Sequence, residues 1–160
     1  MCDESCECDY FFGDDCDCDP NLLDADSNLE VYGRLYNWYA VDDGRGLCPS
    51  RWKVPSDGEW TVLTDHLGGE SVASGQMKSS YGWANDGNGT NSSGFSGLPG
   101  GMRSDGANFD VSLSRGYWWS SSPDGSYPHA WSRFLSFYDD IVYRQINNQR
   151  DGFSVRCIQD

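Results

Sequence analysis

Cysteine, histidine and carboxylate side chains are the groups in this sequence that could bind a metal or react, and they are unevenly distributed. Five of the seven cysteines lie in the first 18 residues, among closely spaced acids: Cys2, Cys6, Cys8, Cys16 and Cys18. Thiolates there could bind zinc, and the carboxylates could bind calcium. Two local disulfides, or a flexible acidic tail without any site, explain the same C-x-C spacing. Zinc or calcium at residues 1–28 therefore stays one of several hypotheses, and no other cofactor is expected.

The two remaining cysteines, Cys48 and Cys157, are candidates for one long-range disulfide that ties an early segment to the last strand. Such a bridge implies an oxidising compartment, so we expect a secreted or cell-surface protein, or part of a phage virion. A further hypothesis makes Cys2 the lipid-bearing first residue of a mature bacterial lipoprotein, which leaves six cysteines to pair. Under that hypothesis the protein contacts a membrane only through its lipid anchor.

Groups that could carry out catalysis are scarce. The chain has two histidines: His66 lies near the end of a predicted helix, and His129 lies in a Tyr-Pro-His loop, where a contact role is expected. The segment 94–98 lacks the second glycine of a nucleophile elbow, and no H-E-x-x-H or phosphate-binding glycine loop occurs. The adjacent acids at 42–43 and 139–140 would point to opposite faces of a strand. We therefore predict a protein that is not an enzyme.

Charge excludes a further class of function. The formal net charge is -14, and residues 1–30 contain eleven carboxylates and no Lys or Arg. The rest of the chain is nearly neutral, with fourteen acidic and eleven basic residues. Binding to phosphate depends on clustered Lys and Arg, so no nucleic-acid partner is expected.

The size and pattern of the chain predict one α+β domain over residues 29–160, preceded by the acidic, Cys-rich segment 1–28. Ser56 and Glu59 form a capping-box pattern that predicts a helix over about 57–67. Strands are predicted in the aromatic-rich segments 29–39, 117–119, 131–138, 141–146 and 153–158, a turn at 42–46, and a long ordered loop over 82–106. Along 131–138, odd-numbered side chains should share one face and even-numbered side chains the other.

Five segments in this order are similar to motifs of the Fibrobacter succinogenes major paralogous domain, a branch of the C-type lectin fold related to formylglycine-generating enzymes. They are Tyr32–Ala40, Cys48–Trp60, Gly94–Gly101, Tyr117–Ser121 and Gly152–Cys157. The resemblance runs from about Tyr32 to Asp160 and implies a C-type lectin fold with few helices, short antiparallel strands and long ordered loops. Family members usually carry an additional strand where this chain has its acidic segment.

Within that family, the patterns Ala130-Trp131-x-Arg133-x-Leu135, Val142-x-Arg144 and Gly152–Cys157 resemble the variable region of proteins diversified by retroelements, in which the residues named in the patterns are fixed framework positions. The resemblance implies that residues between these framework positions contact a ligand, within a variable segment of about 127–149. The expected contact residues are Tyr127, His129, Ser132, Phe134, Ser136, Tyr138, Asp139, Asp140, Ile141, Tyr143, Gln145, Ile146, Asn147 and Asn148.

The composition of this segment is typical of a recognition surface. Phe134, Tyr138, Ile141, Tyr143 and Ile146 alternate with Ser, Asp and Asn, as rigid aromatic anchors do among adaptable polar groups in antibody loops. The alternative is that several of these residues fill the core. We predict a non-enzymatic module that binds a protein or glycan ligand on a cell surface. An undiversified adhesion or carbohydrate-binding module, and an oxidase with free thiols at 48 and 157, are the alternative hypotheses.

Overall fold

A computed structural model of the chain describes residues 25–106, 108–110 and 113–160. The chain forms two units, residues 1–31 and 32–160. Helix α1 (Ala25–Tyr32) accounts for the described residues of the first unit. The hypotheses of a metal site, of local disulfides and of a lipid-bearing Cys2 concern cysteines outside the described residues.

The described part of the second unit is α+β, with short helices and short antiparallel strands. Its helices are α2 (Trp38–Val41), α3 (Asp57–His66) and α4 (Ser74–Met77), with a 3-10 turn at Ala84–Asp86. Its strands are β1 (Trp52–Lys53), β2 (Met102–Arg103), β3 (Phe109–Asp110), β4 (Arg115–Pro123), β5 (His129–Ser136), β6 (Tyr143–Asn148) and β7 (Ile158–Gln159). Strand β1 pairs with β7, β2 pairs with β3, and the largest sheet has the order β4-β5-β6.

This three-stranded sheet separates two groups of buried side chains. Arg133 lies opposite Trp118 on β4, and Phe134 lies opposite Tyr117 on β4 and Tyr143 on β6. Because successive side chains alternate, the first pair marks one face and the second set marks the other. On what we call the α3 face, the core consists of Trp60, Ala73, Met77, Trp83, Trp118, Leu135 and Val142. On the opposite face, called the Phe153 face, it consists of Trp38, Tyr117, Trp119, Ala130 and Phe153.

The predicted helix and its cap are confirmed. The Glu59 N–H donates to the Ser56 hydroxyl, and the Ser56 N–H donates to the Glu59 carboxylate at 2.9 Å, so these two N–H groups at the start of α3 are satisfied. Lys53 also contacts this carboxylate, at 2.8 Å. His66 lies in the last turn of α3, as expected.

The pKa of Glu59 makes the cap sensitive to acid. The hydrogen bond from Lys53, then those from the Ser56 N–H and hydroxyl, lower the pKa of Glu59 from 4.5 to about 2. Because the folded-state value is the lower one, this stabilisation is present above pH 4.5 and is lost as the pH falls toward 2. We expect Glu59→Gln to reduce the free energy of unfolding at pH 7 and to have little effect near pH 2. Urea unfolding at both pH values measures this, and an equal loss at both would contradict it.

The predictions of strands at the two ends of the domain, over 29–39 and 153–158, are wrong in part. Segment 29–39 contains α1 and the start of α2 rather than strands, because the Asn37 side chain accepts the Ala40 N–H and caps α2. Near the carboxyl end, β7 is limited to Ile158–Gln159. Phe153 bridges to Tyr36 while Ser154 bridges to Trp118, so neighbouring residues pair with different segments and no continuous ladder forms.

Segment 82–106, predicted as a loop, also contains the 3-10 turn and β2. The turn at 42–46 is confirmed by a hydrogen bond from the Gly46 N–H to the Asp43 carbonyl, at 2.9 Å. The predicted bridge Cys48–Cys157 is present, and it joins positions 109 residues apart next to the short β1-β7 pair. None of the helices in the described ranges is long and apolar enough to cross a membrane.

Candidate functional site

A network of charged side chains joins the three-stranded sheet to the start of α3. Arg133 on β5 is fully buried and donates to the Asp57 carboxylate at 2.7 Å, while Arg144 on β6 donates to the same carboxylate at 2.8 Å. The guanidinium of Arg144 lies over the Trp131 ring, 3.5 Å from its centre. Burial raises the pKa of Asp57, but hydrogen bonds from Arg144 and Arg133 outweigh this and leave it below its usual value. We call this set the Asp57 network; it fixes β6 against β5 and α3.

A second buried cation holds the loop between β5 and β6, residues 137–142, which we call the hairpin loop. The Lys78 side chain is 3% exposed, and its ammonium group donates to the main-chain carbonyls of Ser136 at 3.1 Å and Asp139 at 2.8 Å. The Asp140 carboxylate lies 3.7 Å from it. Burial lowers the pKa of Lys78 although Asp140 and Asp139 oppose this change. The loop is therefore fixed by a charge beneath it.

Main-chain hydrogen bonds hold the same loop at two further points. The Ser74 N–H donates to the Asp140 carbonyl at 3.0 Å, and the Val142 N–H donates to the Glu70 carbonyl at 2.7 Å. A side chain on Gly75 would collide with the Asp140 carboxylate, whose oxygen lies 2.7 Å from the Cβ position. The hairpin loop consequently has a defined conformation and packs closely on α4.

Aromatic rings stack from the Phe153 face toward the outer strand β6. Phe153 stacks on Trp119 at 4.2 Å and on Tyr117 at 5.0 Å between ring centres. Phe134 continues the row, at 5.3 Å from Tyr117 and 4.3 Å from Tyr143. The inner rings are core residues, and Tyr143 is the outermost, half-buried member.

Tyr143 is linked to the exposed residues of the hairpin loop. Its hydroxyl donates to the Asp139 carboxylate at 2.6 Å and lies 3.3 Å from the Tyr138 hydroxyl. The hydrogen bond to Asp139 is the main reason that the pKa of Tyr143 is raised. Tyr138 is 59% exposed and Ile141 is 36% exposed. Tyr138, Ile141 and the carboxylate of Asp139 thus form an accessible surface at this end of the sheet, which we call the hairpin surface.

A family model described as the Fibrobacter succinogenes major domain matches residues 13–159 of this chain. The chain belongs to this family. The match begins at residue 13, within the acidic segment, so the expected start near Tyr32 is wrong. No curated protein and no solved structure matches the chain.

The structure of this Fibrobacter succinogenes major domain corrects part of the predicted contact set. Ser132 and Ser136 share a face with Phe134 as expected, but both are fully buried and cannot touch a ligand in this conformation. The Ser132 hydroxyl donates to the Asn147 side chain at 2.8 Å. Ile146 lies opposite Trp131 on the α3 face, 45% exposed, so it is separated from the tyrosines.

The remaining predicted residues fall into two groups at opposite ends of the β5-β6 pair. Near the hairpin loop lie Phe134, Tyr138, Asp139, Asp140, Ile141 and Tyr143. At the other end, His129 lies opposite Asn148, and Tyr127 precedes β5 with 80% of its surface exposed. Gln145 and Asn147, both half-buried, lie along β6 between the two groups. The predicted segment therefore presents two surfaces rather than one continuous face.

Sequence reasoning missed the residues that support these surfaces in the family fold. Lys78 and Asp57 lie far from the variable segment in sequence. Lys78 acts through its own buried ammonium group, and Asp57 acts through the buried guanidinium of Arg133. The sequence signal for Asp57 was its place at the first position of a capped helix, where a carboxylate is favourable. Lys78 carried no comparable signal. Among the described residues, no three His, Cys, Asp or Glu side chains are grouped so that they could hold a metal ion.

Proposed function

We propose that this protein is a non-enzymatic binding module that recognises a protein or glycan ligand through the hairpin surface. The proposal depends most on one observation: Tyr138 and Ile141 are exposed on a loop that is itself held from below by buried Lys78. Exposed aromatic and aliphatic groups on a rigid support lose little conformational freedom on binding. Such a loop favours recognition over a purely structural role.

We further propose that residues 29–160 adopt a C-type lectin fold, which the family membership and the arrangement of strands support, and that a retroelement diversifies its variable segment. Positions 138–141 and 143 would then vary, while the Asp57 network and Val142 belong to the fixed framework. The DNA that flanks the gene tests this part of the proposal. An adjacent near-repeat of the segment and a reverse-transcriptase gene are expected, and their absence would leave an undiversified adhesion or carbohydrate-binding module.

The disulfide supports two parts of this proposal. Cys48 and Cys157 are bonded to each other, so neither offers the free thiol that an oxidase of the formylglycine-generating type would require. A structural disulfide also favours an oxidising environment, which is consistent with a secreted, surface-displayed or virion protein.

The double variant Tyr138→Ala/Ile141→Ala is expected to keep its fold and lose ligand binding. Both side chains are largely outside the core, so the free energy of unfolding should change by less than about 1 kcal/mol. Loss of two contact residues should weaken binding about tenfold or more. Binding to a glycan array and to intact bacterial cells measures this, with urea unfolding as the measure of stability.

Tyr81→Ala is the matched control, because Tyr81 is 63% exposed and lies away from the hairpin loop in sequence. It should bind as the unchanged protein does. Phe134 is not substituted, because it stacks on the core residue Tyr117. A Phe134→Ala substitution would therefore change the stability of the core as well as any ligand contact. If the double variant bound the glycan array and the cells as strongly as the unchanged protein does, the hairpin surface would not be the binding site.

A further inference from the structure

Asp139, in the hairpin loop, binds other parts of the protein through its side chain and its main chain. One carboxylate oxygen accepts the Ile141 N–H at 3.0 Å, and the other accepts the Tyr143 hydroxyl at 2.6 Å. The main-chain carbonyl of Asp139 accepts the Lys78 ammonium at 2.8 Å. Each of the three oxygen atoms of this residue is thus engaged within the protein, unlike those of a solvated surface carboxylate.

The bond to Ile141 fixes the main chain of the loop. An aspartate side chain that accepts the N–H of the second residue after it closes an Asx turn. The next N–H, that of Val142, donates to the Glu70 carbonyl at 2.7 Å. Two successive N–H groups are therefore bound, and the main chain that carries the exposed Ile141 side chain has a defined direction.

The bond to Tyr143 extends to Tyr138. A phenol has one hydroxyl proton, and that of Tyr143 is donated to Asp139. In the 3.3 Å contact between the two phenol oxygens, Tyr138 is consequently the donor. The Tyr143 ring is itself fixed, because it stacks on Phe134 at 4.3 Å with an angle of 4° between the ring planes. A chain of hydrogen bonds thus runs from the exposed Tyr138 ring through Tyr143 to the carboxylate of Asp139.

We propose that Asp139 is the positioning residue of the hairpin surface, and that its carboxylate orients both Tyr138 and Ile141 instead of contacting the ligand. This inference deepens the proposed function and rests on it for the binding results alone. Asp and Asn close an Asx turn best, and of the two only Asp has a second acceptor oxygen for a phenol. Position 139 should therefore tolerate fewer residue types than positions 138 and 141.

NMR spectroscopy of the full chain tests the orientation by comparing Asp139→Asn with Asp139→Ala. The hydrogen bond to Asp139 is the main reason that the pKa of Tyr143 lies above its usual 10.0. In Asp139→Asn the Tyr143 pKa should fall toward 10.0, while the amide oxygen still accepts the Ile141 N–H and keeps its hydrogen exchange slow. In Asp139→Ala the Tyr143 pKa should fall as well, and the Ile141 N–H should exchange about tenfold faster, as for the loss of one hydrogen bond.

Binding to the glycan array and to intact bacterial cells separates support from direct contact. Asp139→Ala should weaken binding about tenfold, because two contact side chains must then be ordered by the ligand. Tyr138→Phe keeps the ring but removes the hydroxyl that links it to Tyr143. In the Tyr138→Phe background, Asp139→Asn should weaken binding no further, whereas a direct contact of Asp139 with the ligand would be lost in both backgrounds.

Asp124→Asn is the matched control. Asp124 is also half-buried, and it accepts the N–H and the hydroxyl of Ser126, two residues later, at 2.8 and 2.7 Å. It lies in the loop between β4 and β5, at the other end of β5 from the hairpin loop. This substitution should leave the Tyr143 pKa, the exchange of the Ile141 N–H and the binding unchanged.

The measurements distinguish failure of this inference from failure of the proposed function. An unchanged Tyr143 pKa in Asp139→Asn, an unchanged Ile141 exchange rate in Asp139→Ala, or an equal loss of binding in the two backgrounds would each contradict the positioning role. If the NMR results were as expected but Tyr138→Ala/Ile141→Ala bound as strongly as the unchanged protein, the proposed function would fail. The orientation of the hairpin surface by Asp139 would then still stand.

Discussion

Replacing both Cys48 and Cys157 by serine is expected to lower the free energy of unfolding by about 2–5 kcal/mol. The bridge closes a loop with a sequence separation of 109, and its loss gives the unfolded chain much more conformational freedom. The strands beside it cannot compensate, because β1 and β7 pair over two residues each. Urea unfolding followed by tryptophan fluorescence measures the loss.

The double variant is preferable to reduction of the unchanged protein, because the substitutions remove this bridge alone and do not act on the five further cysteines in the first 18 residues. Reductant should lower the stability of the unchanged protein and leave that of the variant nearly as it was. Coincident unfolding curves for the variant and the oxidised protein would show that the bridge contributes nothing.

The second large effect is expected for Asp57→Asn, which should cost about 3–5 kcal/mol at neutral pH. Arg133 is fully buried, and Asp57 is its only carboxylate partner among the described residues. The Nε of Arg133 has no hydrogen-bond partner among the described residues. Removal of the Asp57 carboxylate therefore leaves the buried charge of Arg133 poorly compensated. The substitution keeps the size of the side chain and therefore tests charge rather than packing.

Asp43→Asn is the matched control for this prediction. Asp43 also pairs with an arginine, but Arg45 has a side chain that is 90% exposed, so solvent screens the pair and the change should be small beside that of Asp57→Asn. The pKa of Asp57 lies below its usual 3.8, so its contribution is present above pH 3.8 and is lost at lower pH. The stability of the protein and of Asp57→Asn should converge in acid. Equal effects of the two substitutions at pH 7 would refute the role of the buried pair.

Features with a local or single-partner signal could be predicted from the sequence. The helix at 57–66 follows from the reciprocal bonds of Ser56 and Glu59, which depend on four consecutive residues. The disulfide follows from the two cysteines outside the acidic segment. The alternation of side chains along β5 also follows from strand geometry, and it is confirmed by the pairing of Phe134 with Tyr117 and Tyr143.

Features that depend on tertiary contacts could not be predicted. Aromatic residues at 36–39 favour strands by composition, yet Trp38 is drawn into a helix by the cap at Asn37 and by its buried bond to Ser120. Ser132 was predicted to contact a ligand because the family resemblance places it at a variable position. It lies opposite Trp119 in the sheet, where a small side chain fits beneath large rings. A variable position in the family pattern gives no measure of that available space.

The bonds that hold the hairpin loop have a consequence for its evolution. Lys78, the Ser74 N–H and the Glu70 carbonyl all bind main-chain atoms of residues 136–142. Every amino acid except proline supplies the same main-chain donor and acceptor, so these hydrogen bonds do not depend on the side chains at 138 and 141. Codons at those two positions can therefore change freely while the backbone keeps its path. Substitutions at these two positions should change the chemistry of the surface and have little effect on the free energy of unfolding.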